Sequence, residues 1–309
     1  MITDDTQMSL YTIYGIMYEL ENARESLLDL HNHSSSRAYI RRSFADSFVE
    51  WLEDPDNNRA PGDTCLRALQ AYRNAKDSDM RLDQRITGNE GCDWNSKGCG
   101  ANMRVGWLGL LPLNETDIIN LAVLQSETTH GHPLALASSV LTAITVKALD
   151  RNEITLEENL LPWAEKRTRD LLDDLLLRSS AAPASWSVNY REGLVQLAHV
   201  LEEAQTRYPA FTEAATSTDI CSFFGGGWVA EEAYILALVA AQHHHDEPVE
   251  AVRRLVYTSG DSDSIAAIGG MFLGASKGHQ IFPEDWVNRF EPRYEEELST
   301  TVQFLNRLT

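Results

Sequence analysis

Residues 133–150 read Pro-Leu-Ala-Leu-Ala-Ser-Ser-Val-Leu-Thr-Ala-Ile-Thr-Val-Lys-Ala-Leu-Asp. Leu134, Leu136, Val140, Leu141, Ile144 and Leu149 form a broad apolar stripe with no period of two, so the stretch is a helix that faces a core. The same spacing spreads outward on both sides. In Arg37–Glu53, residues Ile40, Phe44, Phe48, Trp51 and Leu52 recur at steps of three and four. In Leu156–Leu177, residues Leu160, Trp163, Leu171, Leu172 and Leu175 face inward against a run of charges. Further helical patterns cover Gln7–Leu20, Tyr190–Thr206, Val229–His244, Pro248–Tyr257, Ser264–Lys277 and Tyr294–Leu308. Alternating runs bounded by turns are missing, and the expected fold class is all-α.

The breaks are short: Pro61-Gly62-Asp63, Gly88-Asn89-Glu90-Gly91, Gly98-Cys99-Gly100 and Gly225-Gly226-Gly227. They read as turns and loops rather than interdomain linkers. The 309 residues are therefore expected to form a single domain, 1–309. Asp and Glu number 46 against 26 Lys and Arg, a net charge of −20. Such a balance argues against nucleic-acid and anionic-membrane partners, which need a basic face. Uninterrupted apolar runs fall short of the roughly 18 residues of a membrane span, and the start lacks a signal peptide. Four cysteines, Cys65, Cys92, Cys99 and Cys221, are too few for a disulfide scaffold and fit a reduced, cytoplasmic chain.

Acidic residues cluster at two helix starts far apart in sequence. Thr3-Asp4-Asp5-Thr6 leads into the first helix, and Ser259-Gly260-Asp261-Ser262-Asp263-Ser264 precedes the helix ending at Lys277. Either cluster can be a set of caps, since Ser, Thr and Asp satisfy free N–H groups there. A cap needs one side chain, however, and adjacent carboxylates repel unless a cation or proton intervenes. Hard dications such as Mg²⁺ or Mn²⁺ prefer such oxygens. After the second cluster, Ala266, Gly270, Gly274 and Gly278 recur every fourth position. Interior glycine costs about 1 kcal/mol, so this face implies close approach of a helix or a ligand.

Taken in order, Thr3-Asp4-Asp5-Thr6-Gln7-Met8, Ser96-Lys97-Gly98-Cys99-Gly100-Ala101-Asn102-Met103-Arg104-Val105, Thr129-His130 and Gly260-Asp261-Ser262-Asp263-Ser264-Ile265 resemble the ADP-ribosylglycohydrolase family. That family includes the ADP-ribosylarginine and ADP-ribosylserine hydrolases and the dinitrogenase-reductase-activating glycohydrolase. The resemblance implies a compact orthogonal helical bundle around a pair of Mg²⁺ or Mn²⁺ ions. It also implies hydrolysis of the bond between C1″ of ADP-ribose and an acceptor.

By motif position, Thr3, Asp4, Asp5, Asp261, Asp263 and Ser264 would be the metal ligands. Asp5 or Asp261 would be the base for the attacking water. The Ser96-Lys97-Gly98-Cys99-Gly100 loop would hold the diphosphate and distal ribose with backbone N–H groups. His130 would contact the substrate near the ribose, and Gly227 and Trp228 would belong to a second glycine loop on the adenosine side. The partner is then an ADP-ribosylated protein, arginine-linked first of all, or a small molecule containing ADP-ribose.

The chain departs from the family in two ways. Ser264 stands where a threonine is usual, which keeps the hydroxyl. Only Met1 and Ile2 precede Thr3, where family members typically carry an additional amino-terminal helix, so that helix is expected to be missing. Two other readings fit the same residues: an ADP-ribose-binding regulatory protein without turnover, and a structural helical protein whose acidic clusters are only caps.

Other residues that invite a functional reading have bland ones. His243-His244-His245 ends a helix, where histidines suit the negative terminus and neighbours do not converge on one ion. Cys92 and Cys99 lack the second pair of a zinc site. Arg104 could meet a phosphate or make a structural ion pair. Trp94, Trp107 and Trp228, near the glycine loops, could stack on adenine or fill core.

Overall fold

The computed structural model describes residues 2–22, 34–78, 86–178, 184–214 and 217–308. Its helices are, in order, α1 Asp4–Asn22, α2 Ser34–Glu53, α3 Asp63–Ser78, α4 Glu115–Ser126, α5 Pro133–Asp150, α6 Leu161–Arg178 and α7 Ala184–Glu213. There follow α8 Cys221–Phe224, α9 Ala230–His243, α10 Pro248–Val256, α11 Ser262–Lys277, α12 Glu284–Val287 and α13 Pro292–Leu308. Among the described residues there is no strand, and β pairing is confined to isolated bridges between Asp93 and His130 and between Gly98 and Val229. The all-α expectation holds.

Helix α5 is the axle. His132 caps it by accepting the N–H of Leu134, and Pro133 fills the first turn, where its missing N–H costs nothing. Every residue from Leu134 to Leu149 is buried, because α4, α7, α9 and α11 pack around it. By length and composition α5 is apolar enough to cross a bilayer, with mean hydropathy 1.3 over 18 residues, contrary to the expectation from uninterrupted runs. Interspersed Ser, Thr and Ala hide that character from a search for consecutive large apolar residues. Its surroundings are other helices of the same chain, and 89% of it is buried.

Two of the longer helices lack a pattern in the sequence. In α3 the core face is thin (Cys65, Ala68, Leu69 and Tyr72), and Pro61-Gly62-Asp63 proves to be its entry as well as a turn. In α4 burial continues nearly all the way round from Ile118 to Ser126, so there is no polar face to set a period; Asn114 caps it through the N–H of Asp117. The inward residues expected in α6 are buried or half-buried as far as Leu172, while the side chain of Leu175 lies outside the described set.

Two packings set up the site. Helix α1 lies against α2, α11 and α13, and α11 lies against α5, α9 and α10. The α1–α11 contact brings the acidic starts of these two helices together. The small-residue face of α11 is not explained by packing within the described residues: a Cβ on Gly270 or Gly274 would meet nothing within 4 Å. Gly278 is no part of that face in function, since it closes the helix with φ +77°.

Candidate active site

Asp4, Asp5 and Asp263 each place a carboxylate oxygen within 4.8 Å of the others. The Thr3 hydroxyl donates to Asp5 Oδ2 at 2.7 Å, while Asp5 Oδ1 is buried with no hydrogen-bond partner. Ser264 faces Asp5 from α11 and lowers its carboxyl, while its own hydroxyl donates to Met103 Sδ at 3.6 Å. Asp261 lies beside the cluster. It stands at the N-cap position of α11 yet makes no side-chain capping bond. Its Oδ2 instead accepts the buried Cys99 thiol at 2.8 Å, and the same sulfur lies 3.4 Å from Ser264 Oγ.

Electrostatics make this assembly costly without a counter-charge. Burial, then Asp5 and Asp263, push the Asp4 carboxyl up to about 8, against hydrogen bonds from backbone N–H groups including that of Gly62. Burial raises Asp5 to about 6, opposed by Thr3 and Ser264 and assisted by Asp263. Asp261 is likewise raised, by burial first and then by Asp263 and Asp5. Oxygen-only donors, converging carboxylates and an orphaned buried oxygen are the donor set a hard divalent cation requires. The residues fit such an ion.

The first glycine loop lies directly beside this cluster. Cys99 and Gly100 open a short 3₁₀ turn, Cys99–Ala101. His130 packs behind it: a Cβ on Gly100 would come within 2.8 Å of the ring and 2.9 Å of Cys65 Sγ. His130 is buried and hydrogen-bonded to Thr129 Oγ1 at 2.9 Å. Burial, with Arg104 nearby, pushes its pKa down to about 3, so the ring is neutral. The structure thus puts His130 under the loop as a prop.

The loop's backbone donors are partly committed. Cys99 N–H donates to Trp228 O at 3.2 Å and Gly98 N–H to Ser96 Oγ at 3.4 Å. The Ser96 hydroxyl also meets Thr64 Oγ1 at 3.2 Å. Ala230 N–H donates to Lys97 O at 2.9 Å, and Lys97 Nζ reaches the buried Glu231 at 2.7 Å. These bonds clamp the first glycine loop to the second.

In the second loop Gly227 has φ +75°, and a Cβ there would meet Ile265 at 2.5 Å, so glycine is required. Gly226 O accepts the N–H of Asp261 at 2.8 Å, which ties this loop to the acidic cluster. Trp228 next to it is 63% exposed. Trp94 is also exposed and lines a cavity of about 340 Å³ with Thr64, Arg67, Cys92 and Asn95. Trp107 is half-buried against the core. Arg104 is fully buried, with Gln125, Thr128 and Thr129 as partners and Phe48 below its guanidinium.

The geometry therefore brings Asp4, Asp5 and Asp263 together, with Thr3, Asp261 and Ser264 beside them, and sets both glycine loops against this cluster. Three contributors carry no motif signal: the Cys99 thiol on Asp261, the Gly62 N–H on Asp4 and the Glu231 carboxylate on Lys97. The Pro-Gly-Asp turn before α3 is the one sequence feature that could have pointed to Gly62.

A family model described as ADP-ribosylglycohydrolase matches residues 1–308. The chain belongs to the ADP-ribosylglycohydrolase family. Among its glycohydrolase relatives, ADP-ribosylhydrolase ARH3 of Bos taurus is 26% identical over 84% of this chain and 69% of its own length. The Homo sapiens ARH3 is 25% identical over 84% and 70%. A solved structure titled "ADP-ribosylglycohydrolase-related protein complex" matches with a TM-score of 0.55, covering 99% of this chain and 81% of its own at 22% identity. That likeness establishes the glycohydrolase fold.

Proposed function

We propose that the chain hydrolyses the glycosidic bond between C1″ of ADP-ribose and an acceptor, with an ADP-ribosylated protein side chain as substrate and arginine as the first acceptor to test. One observation carries the reading. Carboxylates from opposite ends of the chain converge although they repel, and Asp261, placed where a cap belongs, does not cap. A purely structural cluster would not gather uncompensated buried charge.

Asp4, Asp5 and Asp263, with Thr3, Asp261 and Ser264, would hold one or two Mg²⁺ or Mn²⁺ ions. Bound there, such an ion supplies Lewis acidity to the ribose hydroxyls and acidifies a water. Asp261 is the better-placed base: it is the cluster's link to Gly226 and lies at the seam with the second glycine loop. Its carboxylate takes a proton from water as the water oxygen bonds to C1″. The bond from C1″ to the acceptor breaks through an oxocarbenium-like state, and the acceptor leaves carrying the proton that Asp261 took from the water. The glycine loops hold and orient the ADP-ribose, with His130 fixing the first loop from behind and Trp228 offering an open ring face.

Arginine-, serine- and cysteine-linked ADP-ribosyl peptides, incubated with Mg²⁺, Mn²⁺ or chelator, test this directly. Release of ADP-ribose from at least one, dependent on the ion, is expected. No release from any overturns the hydrolase reading, and ADP-ribose binding without release would favour the regulatory binding protein.

A further inference from the structure

Asp4 and Asp5 lie in the first turn of α1. The segment Ile2–Asp5 is held from several sides by one residue of the α2–α3 connection, Arg59. Its carbonyl accepts the Asp4 N–H at 3.1 Å. Its guanidinium turns back, and Nη1 donates to Ile2 O at 3.2 Å. Both terminal nitrogens also grip Glu291, Nη1 to Oε1 at 2.8 Å and Nη2 to Oε2 at 2.6 Å. Glu291 in turn accepts the Ile2 N–H at 3.2 Å. Three residues on, the Gly62 N–H reaches the Asp4 carboxylate itself.

The grip has its own backing. The Arg59 guanidinium lies 5.0 Å from the ring centre of buried Tyr294 in α13, and the Tyr294 hydroxyl is 2.5 Å from Gln7 Nε2. Gln7 Oε1 accepts the Trp51 indole N–H at 3.2 Å. One side chain thus fixes the backbone before Asp4 while its own main chain fixes Asp4.

We infer that Arg59, locked by Glu291, is a positioning residue for the amino-terminal half of the metal centre; this rests on reading Asp4 and Asp5 as ligands. An exposed ion pair would be worth little, but this one is bidentate and Arg59 is 10% exposed. The opposite end of the same helix pair provides a natural control. Arg307 in α13 meets Glu21 in α1 at 3.3 Å, with both side chains exposed and far from the cluster.

The test measures Mn²⁺ binding to the full-length chain by the loss of the free-ion electron paramagnetic resonance signal, with melting temperatures alongside. Arg59→Gln should weaken Mn²⁺ binding by about tenfold or more, as loss of an outer-sphere support does. Arg59→Lys should fall between it and the parent, Glu291→Gln should act in the same direction, and Arg307→Gln should leave Mn²⁺ affinity at the parental value. If Arg59→Gln fails to fold, Glu291→Gln carries the decision. Parental Mn²⁺ affinity in Glu291→Gln or Arg59→Gln overturns the inference while the metal reading stands. An equal loss in Arg307→Gln also overturns it, as general loosening. A parent that binds no Mn²⁺ overturns the metal reading, and this inference with it.

Discussion

Replacing Asp4 with asparagine should stabilise the metal-free protein at alkaline pH and leave it nearly unchanged in acid. In the folded chain burial, then Asp5 and Asp263, raise the carboxyl from 3.8 to about 8. Below the lower value both folded and unfolded states carry the proton, and the group contributes no difference. Between the two values the folded state keeps a proton that the unfolded chain has released. Stability rises with pH only where the unfolded state binds more protons, so here it falls as pH rises. Above about 8 the carboxylate is charged in both states and the whole penalty is present.

The interval from 3.8 to about 8, at about 1.4 kcal/mol for each pKa unit, sets a ceiling of roughly 6 kcal/mol. Half of that, about 3 kcal/mol, would move the melting temperature by roughly 6 °C in a domain of this size. Asparagine can still accept the Gly62 N–H, so little is lost in exchange. The assay is thermal unfolding of chelator-treated parent and Asp4→Asn at about pH 4 and about pH 9. The gap between them should open at the higher pH. Adding Mg²⁺ or Mn²⁺ should raise the melting point of the parent but not of the variant. A variant no more stable than the parent at alkaline pH would refute the account of Asp4 as a buried, uncompensated charge.

Other outcomes follow from the same geometry. Gly98→Val puts a Cβ 3.2 Å from His130 Nε2; it should weaken ADP-ribose binding measured by calorimetry with the helical circular dichroism unchanged, and undiminished affinity would remove the loop from the site. Asp261→Asn should cost little stability, because Asp261 makes no side-chain capping bond, but should slow hydrolysis by about a hundredfold or more, as loss of a base and a ligand charge does; parental turnover would take Asp261 out of the chemistry. ADP-ribose should bind more tightly with Mg²⁺ or Mn²⁺ present than in chelator, and equal affinity would mean that the loops alone hold the diphosphate.

Legibility in the sequence tracked whether a residue's role is repeated or solitary. Helices α2, α6 and α10 announce themselves because one face repeats against a polar one. Helix α4 does not, since burial from Ile118 to Ser126 leaves no face to contrast. The two acidic clusters were legible because Thr3-Asp4-Asp5 and Asp261-Ser262-Asp263-Ser264 crowd like charges beyond what capping needs, whereas the individual ligands were named only by motif position in the family resemblance. The Cys99 thiol was not: a cysteine between glycines reads as loop, and its contact with Asp261 spans 162 positions. Nor was His130's placement under Gly98 and Gly100, because a motif records adjacency to a substrate and says nothing about which side of a loop a ring occupies. Arg59 is the plainest case. Its work is done by a carbonyl and by Glu291, 232 positions away, and neither leaves a trace in local sequence.

A chain of net charge −20 is an awkward host for a diphosphate, and the structure narrows how that conflict can be met. The cations nearest the glycine loops already have partners. Lys97 is on Glu231 at 2.7 Å, Arg67 is on Asp63 at 2.9 Å, and Arg104 is buried among Gln125, Thr128 and Thr129. Cys99 N–H is committed to the Trp228 carbonyl. Neutral donors that remain can orient phosphate oxygens but cannot cancel two negative charges beside a cluster of carboxylates. Under the proposed reading, dications held by Asp4, Asp5 and Asp263 would reverse the local sign beside the glycine loops. Coupling of this kind is reciprocal, so whatever tightens ADP-ribose through the ion must tighten the ion through ADP-ribose by the same factor. On that reading the ion and the ligand each prepare the site for the other.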